Sequence, residues 1–324
     1  PEWPTKGCVA VTINYRLGPL AFACLDELAK EAGHTGNYGL FDQLCALQWV
    51  RANIGAFGGD ADNITIMGQS AGAMSVQQLC LTPLAEGLFA KAVMSGGGVS
   101  KMLSAKPVEE LYPFWENVMA KAGCADLAAL RALAPEALFA AWRKAKKECK
   151  NAMATSGPAQ DGVFICKPGT EVVAAGEQRH IPYMIGMTSE DIMPPILYTM
   201  VKGWCKTQDE QNGPACYGWF FDRQLPGDKN GAWHSSDLWY WFGTLDHCWR
   251  PFTATDKVLS AQMVTYLTNF AKTGDPNGGG MPTWAPLDAA HTKVLRLGEQ
   301  PPHMGKASMA KLAWTMLTNK AVGE

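Results

Sequence analysis

The stretch from Asn63 to Val76 constrains this chain more than any other. Its first half, Asn63-Ile64-Thr65-Ile66-Met67, is a β-branched apolar run that reads as a buried strand; its second half, rich in Ala and Met, reads as a helix. Gly68-x-Ser70-x-Gly72 lies at the junction. A serine there sits on a sharp strand-to-helix turn with its hydroxyl exposed, and the glycines, lacking Cβ, let strand and helix approach closely. The spacing predicts a nucleophile elbow.

The flanking chain supplies a matching scaffold. Cys8-Val9-Ala10-Val11-Thr12-Ile13-Asn14-Tyr15 reads as a central strand, followed by a loop and by a helical stripe from Leu40 to Ile54. After the elbow, Ala90–Met94 reads as a strand closed by Gly96-Gly97-Gly98. Strand, helix, strand, helix, strand in this rhythm predicts an α/β fold, a mostly parallel central sheet flanked by helices. We expect one catalytic domain over residues 1–324, with a helical excursion at about 101–150 that walls a pocket and a second at about 193–213. Strand character returns at Ile181–Met187, at Ala215–Phe221 and near Val294–Arg296, and a long helix is predicted over Ala254–Thr273.

Composition narrows the chemistry. A net charge of −2 with 18% charged residues leaves no electrostatic footprint for nucleic acid or an anionic membrane. No apolar run approaches the ~20 residues needed to span a bilayer. The ten cysteines are scattered without C-x-x-C pairs, which points away from a zinc site and from a disulfide scaffold and towards a reducing compartment. A cytoplasmic location is the expectation, although the chain opens on Pro1 and its targeting is not visible.

A serine hydroxyl needs a histidine to take its proton and a carboxylate to fix that histidine's tautomer. In an α/β-hydrolase these follow the nucleophile in the order acid, then base. His34 precedes Ser70, His180 precedes a strand, His291 and His303 lie in the polar tail, and His247 reads as structural. His234, on a loop past a strand, is left as the base. Between it and Ser70, the carboxylates at strand ends are Glu190, Asp191 and Asp222. Asp222 lies too close before the histidine loop, and the residues alone do not separate Glu190 from Asp191.

Asn14-Tyr15-Arg16-Leu17-Gly18, Gly36-Asn37-Tyr38-Gly39-Leu40-x-Asp42-Gln43, Phe57-Gly58-Gly59-Asp60 and Gly68-Gln69-Ser70-Ala71-Gly72 together resemble the type-B carboxylesterases, the group of the para-nitrobenzyl esterases and cholinesterases. The similarity continues through Ile185-Gly186, His234-Ser235-Ser236-Asp237-Leu238 and Asn269–Asn277. It implies the α/β-hydrolase fold and hydrolysis of small hydrophobic carboxylic esters through an acyl-enzyme, without metal or organic cofactor. Counting from Gly186 along the family's Gly-x-x-x-x-Glu pattern places Asp191 on the acid site, one methylene shorter than the usual glutamate. The implied triad is Ser70, Asp191 and His234, with the Ala71 N–H in the oxyanion hole.

One departure stands out. The family's upstream His-Gly-Gly loop, which supplies further oxyanion donors, has no counterpart in this sequence, and the strand before it should lie between the Val9–Tyr15 and Ile64–Met67 strands. We therefore expect an N-terminal fragment, either a separate chain cut from the same precursor or residues beyond those given, to complete both sheet and oxyanion hole. Two other classes share these residues: a non-catalytic binding protein of the same fold, and an acyltransferase.

Overall fold

The structure is a computed structural model that describes residues 1–97, 104–150, 155 and 157–318. Gly98 and the first residues of the predicted 101–150 excursion lie outside the described residues.

Among the described residues six strands form the main sheet: β1 (Thr65–Gln69), β2 (Lys91–Ser95), β5 (Tyr183–Thr188), β6 (Cys216–Phe221), β7 (Val294–Leu297) and β8 (His303–Gly305), in the order β1-β2-β5-β6-β7-β8. A two-residue ladder of β3 (Lys106–Pro107) and β4 (Ala159–Gln160) stands apart. All pairs in the main sheet are parallel except β7 with β8. β8, an antiparallel edge, carries no strand pattern that the sequence reading caught.

Parallel strands are joined by helical crossovers that cover both faces, so the central strands are buried on both sides and read as continuous apolar runs. Their alternate residues serve two cores. Ala92, Met94, Tyr183, Ile185 and Phe220 face helices Tyr38–Asn53, Ala71–Leu81 and Pro194–Glu210, whereas Val93, Met184, Tyr217, Trp219 and Phe221 face the Ala254–Thr273 helix and Trp284. A third cluster, built on Leu111, Trp115, Ala141 and Ala145, joins the Val108–Ala122 and Pro135–Glu148 helices. Gly186 is demanded by this packing: it pairs with Trp219, and a Cβ there would lie 2.1 Å from the indole.

Two expectations are corrected. Residues 8–15 form no strand, and Val9, Val11 and Ile13 are exposed. β1 is half-exposed along its whole length because among the described residues it is an edge strand, paired to β2 alone. β-branched alternation predicts a strand only where a neighbour completes the ladder, and residues 8–15 have none. The cysteines are also not all free. Cys205 and Cys216, both buried, form a disulfide with Cα atoms 5.1 Å apart, tying the Pro194–Glu210 helix to the start of β6; the other eight are free. The short helix-to-strand connection brings the two together.

Candidate active site

Three loops leave the carboxyl edge of the sheet and converge. Ser70 follows β1 directly, Asp191 lies just past β5, and His234 sits on the loop after β6. β1 and β5 are two positions apart in the sheet, or about 10 Å at the usual strand spacing. An imidazole reaching in from the β6 side spans that gap.

Ser70 occupies φ 56°, ψ −121°, a strained backbone for a residue with a Cβ and the mark of a sharp elbow. The close approach that makes the turn rests on Gly68, where a Cβ would lie 2.2 Å from the Gly72 carbonyl oxygen. Gly72 faces open space, where a Cβ would meet nothing within 4 Å, which corrects the expectation that both glycines are sterically required. The Ser70 N–H continues the ladder to the Ser95 carbonyl at 2.8 Å. Ala71 opens the Ala71–Leu81 helix, so its N–H is among the first-turn donors with no intrahelical acceptor.

His234 Nδ1 lies 2.5 Å from Asp191 Oδ1 and its Nε2 lies 2.8 Å from Ser70 Oγ. An ionised carboxylate only accepts, so Nδ1 carries the proton and Nε2 turns its lone pair to the serine. Asp191 is 3% exposed and is held in turn by donors. Ile192 N–H donates to Oδ1 at 2.8 Å, and the Thr188 hydroxyl and N–H donate to Oδ2 at 2.9 and 3.3 Å. The Asp191 hydrogen bond raises the His234 pKa above its ordinary value, burial opposes it, and the charges of Asp191 and Asp237 add to the rise.

The structure thus brings Ser70, Asp191 and His234 together and gives Glu190 a different position. The Glu190 carboxylate accepts the Ala232 N–H at 2.8 Å and the Ser189 hydroxyl, on the far side of the histidine loop's backbone. Asp222 is ion-paired to Arg296. His180 contacts the Gly176 carbonyl, His291 contacts Asp288, and His34 stacks on Phe41. A half-buried hydroxyl hydrogen-bonded to an imidazole, beside a free helix-N-terminal N–H, is equipped to attack an electrophilic carbonyl.

The carboxylesterase family model matches residues 4–213 and 205–313. The chain belongs to the carboxylesterase family. Among curated relatives, bile salt-activated lipase of Rattus norvegicus is 29% identical over 92% of this chain and 61% of its own length. Para-nitrobenzyl esterase of Bacillus subtilis (strain 168) is 37% identical over 56% of this chain and 37% of its own. A solved PNB esterase superposes with a TM-score of 0.81 at 25% identity, covering 94% of this chain and 72% of that one. A Geobacillus stearothermophilus carboxylesterase gives a TM-score of 0.76 at 27% identity, covering 94% and 74%. The chain spans about half to three-fifths of the length of the bile salt-activated lipases it matches.

Three further residues of this carboxylesterase-family site, Gln69, Gly96 and Asp237, make contacts around it that no sequence motif announces. Gln69 Nε2 lies 3.2 Å from His234 Nε2, competing with Ser70 for one lone pair. Gly96, at φ 64°, turns the chain past the end of β2 close to Asp191 and the His234 ring. Asp237 is fully buried; its Oδ2 accepts the Ser95 hydroxyl at 3.1 Å and the Trp241 indole N–H at 3.0 Å. Burial pushes the Asp237 carboxyl up to about 6, with the neighbouring Asp191 charge adding to it. The one signal in the sequence is position: Gln69 adjoins Ser70 and Asp237 lies three residues past His234.

Among the described residues no group of three or more His, Cys, Asp or Glu is placed to hold a metal ion, and no helix is long and apolar enough to cross a membrane.

Proposed function

We propose that this chain is the catalytic domain of a serine carboxylesterase in which Ser70 is the nucleophile, His234 the general base and then acid, Asp191 the acid that orients it, and the Ala71 N–H an oxyanion donor. The continuous chain from Asp191 Oδ1 through His234 to Ser70 Oγ carries this reading. His234 takes the serine proton as Oγ attacks the ester carbonyl, and returns it to the departing alcohol. Water, deprotonated by the same imidazole, then releases the acid. Small hydrophobic esters are the substrate class, in keeping with the aromatic residues Trp233, Trp239 and Phe242, which with Ser235 line an open depression of ≈ 410 Å³ formed by the residues either side of His234 in the chain. Stoichiometric labelling by a fluorophosphonate, abolished by Ser70→Ala together with ester turnover, is the test. A Ser70→Ala protein that still hydrolyses esters sinks the assignment, and an unlabelled but folded wild type favours the binding-protein alternative.

We further propose that an additional strand, from an N-terminal fragment of the same precursor, adds along the free edge of β1 and brings the remaining oxyanion donors. The argument is geometric. Among the described residues β1 ends the sheet order, paired with β2 and with no strand on its other side, and residues 8–15, outside any strand, leave Val9, Val11 and Ile13 uncovered. Mass spectrometry of the active native particle tests this, and a single 35.0 kDa species with full activity refutes it. The eight free thiols fit a cytoplasmic setting for the protein and the Cys205–Cys216 disulfide runs against it; thiol titration of the native protein decides, ten reactive thiols on unfolding supporting that setting and eight opposing it.

A further inference from the structure

We propose that Glu190 is a positioning residue, a clasp that locks the acid-bearing loop to the base-bearing loop and so sets the Asp191–His234 geometry; this rests on the triad reading above. Glu190 and Trp233 form an isolated parallel bridge outside the main sheet. The Glu190 N–H donates to the Ala232 carbonyl at 3.0 Å, and the Glu190 carboxylate accepts the Ala232 N–H at 2.8 Å, so both polar groups of one peptide segment are held by a single residue. The Ser189 hydroxyl donates to the same carboxylate oxygen, fixing its rotamer, and the Ser189 N–H is anchored to the Phe221 carbonyl at 2.9 Å. Gly231 completes the seat: at φ 70° its missing Cβ leaves room for the Glu190 carboxyl carbon, which would otherwise stand 2.5 Å away.

The clasp sits next to the chemistry on both strands of chain. Asp191 follows Glu190 directly, and His234 follows the Ala232-Trp233 pair. Ser235, on the other side of the base, holds a positive φ of 72°, so the histidine loop is not in a conformation it would adopt unaided. Without a fixed point, that loop relaxes, and a misplacement of about 1 Å in a catalytic group costs on the order of 10² in rate. The clasp needs an acceptor at this position and does not need a charge. A glutamine retains an acceptor oxygen; an alanine does not.

The experiment compares Glu190→Gln, Glu190→Ala and Asp191→Asn in the full chain, using para-nitrophenyl butyrate turnover and the downfield proton NMR signal of His234 Nδ1–H. Glu190→Ala should lower kcat by about 10²-fold with KM changed less than about threefold, and should broaden the downfield signal. Glu190→Gln should restore kcat to within about threefold of wild type and keep the signal sharp. A Glu190→Ala enzyme with wild-type kcat and a sharp signal overturns the clasp, as does a Glu190→Gln enzyme as impaired as the alanine variant. If Glu190→Ala fails to fold, Gly231→Ala, which drives a methyl into the intact carboxyl group, should reproduce the kcat loss; wild-type kcat there overturns the proposal equally. Failure of the triad reading looks different: Asp191→Asn then keeps full activity, whatever the Glu190 series does.

Discussion

Replacing Asp191 by asparagine tests how the triad is wired, because the side chain's surroundings decide which way the new amide points. With NH2 at the Oδ1 position, the amide would face the Ile192 N–H, now 2.8 Å from that oxygen, donor to donor, and would donate to His234 Nδ1. That reverses the histidine tautomer and blocks the lone pair that Ser70 needs, a fault that typically costs about 10⁴ in kcat. With NH2 at the Oδ2 position, it faces the Thr188 hydroxyl at 2.9 Å, which can rotate and accept, and the Thr188 N–H only at 3.3 Å. The first placement buries an unmet N–H at a cost of roughly 1–3 kcal/mol, so the second wins. His234 keeps its Nδ1–H, and only the charge is lost.

The size of that loss follows from the imidazolium formed in the transition state. Two unit charges about 4 Å apart at an effective dielectric of about 20 attract by roughly 4 kcal/mol, or about 10³ in rate. Asp191→Asn should therefore cost about 10³ in kcat. Because the Asp191 hydrogen bond is the largest influence holding the His234 pKa up, the acid limb of the kcat/KM profile should also move to lower pH. Adding Thr188→Val removes the rotating acceptor, turns the amide over, and should cost a further tenfold or so. Steady-state turnover from pH 5 to 9 measures both. A loss of 10⁴ or more with no downward shift in the single variant refutes the assigned amide orientation.

Three other outcomes are expected. Gln69→Glu places a carboxylate about 3.2 Å from His234 Nε2, which stabilises the imidazolium and should raise the acid limb of the pH profile by about 1–3 units; an unchanged profile rules out direct contact. Asp237, pushed up to about 6 by burial, binds its proton more tightly folded than unfolded, so its contribution to stability is greatest below pH 4 and falls by about 3 kcal/mol as pH rises through 6. Urea denaturation of wild type minus Asp237→Asn should show that decline, and a flat difference contradicts it. Gly186→Ala pushes a methyl into the buried Trp219 ring and should destabilise by about 3 kcal/mol or more, whereas Gly203→Ala, which meets nothing within 4 Å on a helix, should be neutral or slightly stabilising; equal melting temperatures would refute the close approach.

The parts of the fold that were legible in the sequence are those whose signals are local. The Ala254–Thr273 helix was read to the residue because its own ends declare it: Thr253 and Asp256 form a capping box and Gly274 takes the left-handed closing conformation. β5 and β6 were read within two residues because strands buried on both faces are continuously apolar. Residues 8–15 carry the same kind of signal and form nothing, since a strand's state depends on a neighbour that its own residues cannot specify. That Ser70 and His234 approach each other is legible in the order of elements along the chain, which fixes which loops share the sheet's carboxyl edge.

Choosing between Glu190 and Asp191 was beyond local reasoning for a physical cause. Adjacent residues on an extended segment point to opposite sides, so one of the pair must face the imidazole and the other its supporting backbone, and which does so depends on register. That register is set by the bridge from Glu190 to Trp233, a contact 43 residues away in sequence between residues 190 and 233. A one-residue slip would exchange the two carboxylates, placing the longer side chain at the histidine and leaving the shorter one to reach for Ala232. The Ala232 N–H lies 2.8 Å from the end of a glutamate, so an aspartate in the same seat falls short by about one C–C bond, roughly 1.5 Å, and the clasp opens. Side-chain length therefore fixes the order: the longer acid holds the loop and the shorter one serves the base. The exchanged double variant Glu190→Asp/Asp191→Glu keeps both charges and should still lose the sharp downfield histidine signal, and a variant that retains it would show that register, and not length, does the sorting.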